Sequence, residues 1–245
     1  MYSVFRLLDD IVDLQAPAKA RAEVADWRSF FDTLDPSKLN ILQHREKAMS
    51  LVLVVKKYEI QTFSFIDFID KGLNVDLEKN RFETPMETES YCYGVAGTVG
   101  IACLPIFGVP WQEAKDYAVR LGIGVQWINI IRDVAVDARM GRIYLPTDHL
   151  EKFECNETDI LEGRSSPAFL DLIRYETEVA RSHFRRANEL LPNEWRNLLK
   201  PARIMGEIYM KLLAKIEKHH YAVLNKRIRL NLFEKAAAAW SALRS

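Results

Sequence analysis

The chain lacks most of the features that sort a sequence by class at sight. None of its 245 residues fall in an apolar run of eighteen, so no transmembrane helix is expected. Met1 to Leu8 has neither the basic lead nor the long apolar core of a signal peptide. There is no excess of charge of one sign: 34 basic residues balance 34 acidic ones, which argues against a general binder of nucleic acid or of a charged surface. Cysteine is scarce. Cys92, Cys103 and Cys155 follow no metal-ligand spacing and suit a reducing cytosol as buried or idle thiols. No alternating strand pattern occurs, and no Gly-, Ser- or Pro-rich linker divides the chain.

What is present is helical periodicity. Helices are expected at about 1–14, 18–34, 38–57, 60–78, 86–104, 111–139, 166–191, 201–222 and 229–243. They are separated at Asp35-Pro36, Thr84-Pro85, Gly108-Val109-Pro110, Gly141, Pro146, Pro167, Pro192 and Pro201. The stretch after Pro146 and the polar loop from Asn156 to Ser166 look less regular. The reading is all-α, one helical domain over 1–245. The amphipathic run Met1, Val4, Phe5, Leu8, Ile11, Val12 makes the chain start inside a helix.

Two acidic clusters stand out, Asp9-Asp10-x-x-Asp13 and Asp133-x-x-x-Asp137. A spacing of four puts two carboxylates on one helix face, one turn apart, where they repel. The second cluster extends a polar stripe through Gln126, Asn129 and Arg132, flanked by Val125, Trp127, Ile128, Ile130, Ile131 and Val134. A buried polar stripe costs free energy unless each group is paired. An internal ion-pair network with Arg132 accounts for one carboxylate but hardly for five on two helices. Facing each other across a bundle, the clusters make a cage for Mg²⁺, which takes oxygen ligands and is usually completed by phosphates. No histidine or cysteine cluster suggests zinc. Arg6 and Arg132 are placed to clamp a diphosphate.

Gly94, Gly97 and Gly100 recur every three residues in Tyr91-Cys-Tyr-Gly-Val-Ala-Gly-Thr-Val-Gly100. Glycine in a helix costs about 0.8–1 kcal/mol relative to alanine, so something approaches this face closely, either a neighbouring helix or a long apolar ligand. In Gly141-Arg-Ile-Tyr-Leu-Pro146, Arg142 and Tyr144 are within reach of the acidic helix, although a plain helix stop also explains the segment. Tyr209 lies in an amphipathic helix, where packing is the default. His219-His220 is given no role.

Together, Asp-Asp-Ile-Val-Asp, the Tyr91–Gly100 run, Gln-x-x-Asn-Ile-x-Arg-Asp-Val-x-x-Asp and Gly-Arg-Ile-Tyr-Leu-Pro resemble the squalene/phytoene synthase family, in order and over nearly the whole chain. Asp76-Leu77-Glu78 before Arg81-Phe82-Glu83-Thr84, and Pro201 to Tyr209, agree. The resemblance implies an isoprenoid synthase helical bundle around a central cavity and Mg²⁺-dependent head-to-head condensation of two prenyl diphosphates through a cyclopropyl intermediate. By motif, Asp9, Asp10, Asp13, Asn129, Asp133 and Asp137 would bind Mg²⁺ and diphosphate. Arg6, Gln126 and Arg132 would flank them. Tyr91, Tyr144 and Tyr209 would line the cavity, and the Gly94–Gly100 face would border a prenyl channel. A counterpart of a family diphosphate-contacting arginine falls around Lys226-Arg227.

The substrate is expected to be farnesyl diphosphate, giving a presqualene or squalene-type C30 product, or geranylgeranyl diphosphate, giving a phytoene-type C40 product. Arg-Leu-Leu-Asp-Asp-Ile-Val-Asp slightly resembles bacterial presqualene-type enzymes. No motif indicates NADPH. Family members carry a further helix before the first aspartate motif, whereas Met1 stands eight residues ahead of Asp9. A truncated chain, a misassigned start, or a partner covering the gap would explain this, and an exposed groove there would favour self-association. Residence in the cytoplasm is expected, with peripheral contact to a bilayer in view of the apolar products. The competing reading is a non-catalytic homologue serving as a lipid-binding or assembly factor; the five retained aspartates count against it.

Overall fold

Short polar side chains and prolines mark where helices begin. Thr84 accepts a hydrogen bond from the Glu87 amide and Ser166 one from the Phe169 amide, each with proline in the first turn, where its missing N–H costs nothing. In this computed structural model, which describes residues 1–244, the chain forms α1 (Tyr2–Leu14), α2 (Pro17–Thr33), α3 (Arg45–Tyr58), α4 (Phe63–Phe68), α5 (Asn74–Glu78), α6 (Pro85–Cys92) and α7 (Thr98–Cys103). It continues through α8 (Trp111–Arg139), α9 (Thr147–Lys152), α10 (Glu157–Leu161), α11 (Pro167–Leu190), α12 (Lys200–Lys218) and α13 (Leu232–Arg244). Ser245, the last residue of the expected 1–245 domain, lies outside the described residues. No strand forms among them; one isolated bridge joins Arg81 to Ile143.

The expected helix 111–139 matches α8 residue for residue. The expected helix 38–57 is replaced by a 3₁₀ turn, Pro36–Ile41, followed by α3. Asp35 caps that turn by accepting from the Ser37 amide, and Leu39 and Leu42, three apart as a 3₁₀ turn requires, are both buried. The segments expected to be irregular after Pro146 and at 156–166 contain the short helices α9 and α10.

Two helical rods carry π turns. Ile69–Leu73 joins α4 to α5, and Tyr93–Gly97 joins α6 to α7. A π turn holds an extra residue and rotates the downstream helix by about 100° relative to an unbroken α-helix. The two π turns pack backbone to backbone. A Cβ on Gly94 would stand 2.4 Å from the Lys71 carbonyl, and one on Gly122 of α8 would stand 2.7 Å from the Gly97 amide nitrogen. Gly100 lies against Ala118. The glycine stripe is therefore packed closely against neighbouring helices, the first of the two uses expected for it. The stretch Pro85–Phe107 is long and apolar enough to cross a membrane, a property that counting uninterrupted apolar residues missed. On its glycine face, Gly97 and Gly100 pack against α8 and Gly94 against the first π turn.

Buried side chains fall into two clusters. One gathers α1 to α5 around Trp27, Phe30, Phe31 and Phe65, the other gathers α8, α11 and α12 around Trp127, Ile128, Phe169 and Leu213. Each large side chain so buried contributes about 1.5–3 kcal/mol. Val95, in the second π turn, packs against both clusters. Gly141, at φ +73°, ends α8 and turns the chain back along residues 80–83, where the Ile143 amide donates to the Asn80 carbonyl at 3.0 Å and the Thr147 amide to Phe82 at 2.9 Å.

Candidate active site

The first core supplies α1 and the second supplies α8, and their acidic faces line one cavity of about 380 Å³. Asp9 and Asp13 reach it from α1, and Asp133 and Asp137 from α8, with Arg6, Gln126, Asn129, Tyr91 and Tyr144 also in its wall. Asp10 is the exception among the predicted aspartates. One residue on from Asp9, it lies about 100° round the helix; it pairs with Arg6 at 2.8 Å and does not line the cavity.

The carboxylates have unequal surroundings. Asp133 accepts bidentate hydrogen bonds from Arg132 on its own helix and from Arg227 at 2.6 and 2.8 Å. Burial pushes its carboxyl up, but the two guanidiniums outweigh this and hold it below the usual carboxylate range. Asp137, one turn on, has no such clamp. Burial, then the charge of Asp133, drive it up to about 7, and Arg142 offsets only part of this. Asp9 is also raised, by burial and then by Asp13, with Arg6 at 2.7 Å pulling the other way. Asp13 meets Arg142 at 3.3 Å.

Behind the aspartates lies a stack of three rings. Tyr91 and Tyr144 are 5.1 Å apart and nearly parallel, and Phe82 packs within 5.2 and 5.7 Å of them. The turn at Gly141 puts Tyr144 there. Both hydroxyls donate to Asp76, from Tyr144 at 2.6 Å and Tyr91 at 3.1 Å. Burial raises Asp76 to about 6 although these donors favour its charged form. Burial likewise raises both phenols. Asp76 was visible in the sequence only as part of a secondary echo. Its place depends on the π turn that precedes α5, which periodicity does not report.

Tyr209 lies in an adjoining cavity of about 280 Å³, beside Arg132, with Arg227, Arg229 and Lys235. Arg132 and Arg227 belong to both cavities. Of the pair Lys226-Arg227, Arg227 is the one that reaches the site. Arg229 and Lys235 had no signal beyond ordinary surface cations.

The donor set fits a hard divalent cation. Every candidate ligand is oxygen, three of the carboxylates are held up by burial and mutual repulsion, and the buried Asn129 Oδ1 accepts no hydrogen bond from the protein. Among the described residues, no three His, Cys, Asp or Glu side chains already converge on one ion position. A cation there would take further oxygens from water or substrate, as Mg²⁺ does.

Fold and cavity together define an all-helical bundle with an acidic pocket sewn by arginines to a cationic one. The squalene/phytoene synthase profile matches residues 1–234, and the chain belongs to that family, whose members are prenyltransferases. It is 31% identical to the phytoene synthase of Arthrospira platensis over 96% of this chain and 79% of that one. It is also 31% identical to the 15-cis-phytoene synthase of a Synechocystis species, over 93% and 70%. The fold is that of a dehydrosqualene synthase crystallised with a ligand (TM-score 0.78, 23% identity, 99% of this chain and 83% of that one). It is shared with squalene synthase HpnC of Alicyclobacillus acidocaldarius (TM-score 0.75, 24% identity, 90% and 81%).

Proposed function

We propose that this chain joins two prenyl diphosphates head to head in a Mg²⁺-dependent reaction, through a cyclopropyl intermediate. The observation that carries the proposal is the seam of the two cavities. An oxygen-lined acidic pocket and a cationic pocket share Arg132 and Arg227, so a metal-binding surface and a phosphate-binding surface meet at one line. Asp9, Asp13, Asn129, Asp133 and Asp137 would hold the metal. The chemistry supplied by a bound Mg²⁺ would be that of a Lewis acid, offsetting the charge of a departing diphosphate.

The chain's own residues do the rest. Arg6, Arg142 and Arg227 bind phosphate oxygens, and Arg227 has two donors for them once it leaves Asp133. Tyr91 and Tyr144, in the wall of the acidic cavity, would supply electron-rich neighbours that do not attack an allylic cation. Forming the cyclopropane releases one diphosphate and one proton. Asp76, with its carboxyl near 6 and a 2.6 Å hydrogen bond to Tyr144, is suited to accept that proton at a carboxylate oxygen. It also fixes both phenols in place.

The names of the curated relatives favour geranylgeranyl diphosphate and a phytoene-type C40 product over the C30 product favoured by the sequence around Asp9. The test is incubation of purified protein with each diphosphate, with Mg²⁺ and with EDTA, read by mass spectrometry. The expected result is a C40 product from geranylgeranyl diphosphate that disappears with EDTA. A C30 product alone overturns the chain length. No product from either substrate, with no thermal stabilisation by Mg²⁺ and pyrophosphate, supports the non-catalytic lipid-binding reading.

A further inference from the structure

The turn that ends α8 carries Arg142 and Tyr144 toward Asp13 and Asp76. Gly141, at φ +73°, has no side chain to anchor it, and a Cβ added there would meet nothing within 4 Å. Inside the turn, the Gly141 amide donates to the Ala138 carbonyl and the Arg142 amide to the Asp137 carbonyl, both at 2.9 Å. These bonds close the helix end but leave the direction of the following residues open. Segment 80–83 sets that direction. It pairs in parallel with the chain after Gly141, where the Ile143 amide donates to Asn80 at 3.0 Å and the Thr147 and Asp148 amides to Phe82 and Glu83 at 2.9 and 3.0 Å.

Arg81 stands at the head of this ladder. Its Nη1 donates to the Asn80 carbonyl and to the Gly141 carbonyl, each at 2.7 Å, and its Nε donates to Glu157 of α10 at 2.8 Å. Two carbonyls aimed at one place repel. A guanidinium nitrogen shared between them replaces that repulsion with two charge-assisted hydrogen bonds. Glu157 holds another edge of the same planar group, so the guanidinium leaves the carbonyls only by breaking an ion pair. The arginine side chain is 26% exposed, which sets this pair apart from the surface pairs of the chain. Lysine, with one compact ammonium, does not reproduce a planar fork on a carboxylate and two carbonyls. Arg81 itself does not line the acidic cavity.

We propose that Arg81 is a positioning residue for the acidic cavity: by bridging the Asn80 and Gly141 carbonyls it aims the turn after α8 so that Tyr144 meets Asp76 and Arg142 meets Asp13. Those two contacts are the 2.6 Å hydrogen bond and the 3.3 Å ion pair already described. Asp76 lies five residues before Arg81 and Tyr144 three residues after Gly141. Both partners of the shorter contact therefore belong to the segments that the guanidinium joins, and a small rotation between those segments would part them. This placement of Tyr144 does not rest on the prenyl diphosphate reading; its effect on turnover does.

The test is a double-mutant cycle read in denaturant unfolding of the full chain, which needs no substrate. In the parent, Tyr144→Phe takes a donor from the buried Asp76 and lowers the unfolding midpoint. In the Arg81→Met background that midpoint shift should shrink to about half or less. The shift caused by Asp35→Ala, at the cap of the 36–41 turn, should be the same in both backgrounds. An equal Tyr144→Phe shift with and without Arg81 overturns the proposal, because an arginine that only adds stability does so independently of Tyr144. Should Arg81→Met fold poorly, Arg81→Lys is read in the same way: a smaller reduction is expected, and an unchanged shift again overturns. Where the parent forms product, Arg81→Met should lower kcat about tenfold or more, with Arg81→Lys recovering part of the loss; an unchanged kcat overturns the positioning role. A parent without product counts against the prenyl diphosphate reading alone, and the unfolding cycle still decides the role of Arg81.

Discussion

The two aspartate pairs have the same spacing on helices of the same kind, yet α1 and α8 put them to work in different media. On α1, Asp9 and Asp13 are 45% and 42% exposed and are matched singly by Arg6 and Arg142. On α8, Asp133 is 17% exposed and doubly clamped by arginines, while Asp137 is left with a carboxyl driven up to about 7. In water, ion pairs of the first kind are worth about 0–1 kcal/mol. In the half-buried wall of α8, the repulsion between Asp133 and Asp137 adds to the cost of burying Asp137. The same spacing thus meets two surroundings: the α1 carboxylates keep more accessible oxygens, and Asp137 on α8 carries a burial and repulsion cost that a bound cation would relieve.

The contrast can be broken first at turnover. Asp133→Asn and Asp137→Asn should each lower kcat/KM for the prenyl diphosphate by about 10²–10³-fold, with helical content unchanged by circular dichroism. Turnover kept, with only the melting temperature altered, would make α8 an ion-pair helix and nothing more. Next comes ligand linkage. Mg²⁺ and inorganic pyrophosphate together, at about 100 times their dissociation constant, should stabilise the parent by about 2.7 kcal/mol in thermal unfolding. Asp137→Asn should lose most of that shift.

Stability without ligand sharpens the comparison further. Asp133→Asn leaves Arg132 and Arg227 short of their acceptor and should cost about 1–3 kcal/mol in denaturant unfolding. Asp13→Asn, on the exposed side, should cost less than about 1 kcal/mol. Equal costs would erase the distinction between the helices. The smallest effect is in pH. Asp137 is raised above its ordinary 3.8, so the folded chain binds its proton more tightly than the unfolded one. Its contribution is fully present below about pH 4 and is lost as pH rises through about 7. Asp133, held below 3.8, works the other way, its contribution present above pH 4 and lost in stronger acid. Melting curves from pH 4 to 8 should therefore be flatter for Asp137→Asn than for the parent, and a parallel pair of curves would contradict the burial of Asp137.

The breaks at Gly108-Val109-Pro110 and Gly141 located α8 to the residue, although the middle of the helix is buried on nearly every side. The 36–41 turn and the two π turns escaped periodicity because each shifts the register by a residue or less. That small shift decides the position of Asp76, whose neighbours in sequence say nothing about two phenols arriving from residues 91 and 144. Arg227 was narrowed to a pair of residues and no further, since its partner Asp133 lies 94 positions away.

By itself the sequence determined the helical class, the two acidic faces and the kind of ion they suit, because helix spacing and carboxylate chemistry are local properties. It also contained the glycine stripe but not its occupant. Only the tertiary structure decided that helices fill that stripe, that Asp10 stands aside, and that Asp133 is neutralised while Asp137 is not. Those are matters of burial and of charges brought together from distant parts of the chain, and the free energy of a carboxylate depends on its surroundings more than on its neighbours in sequence.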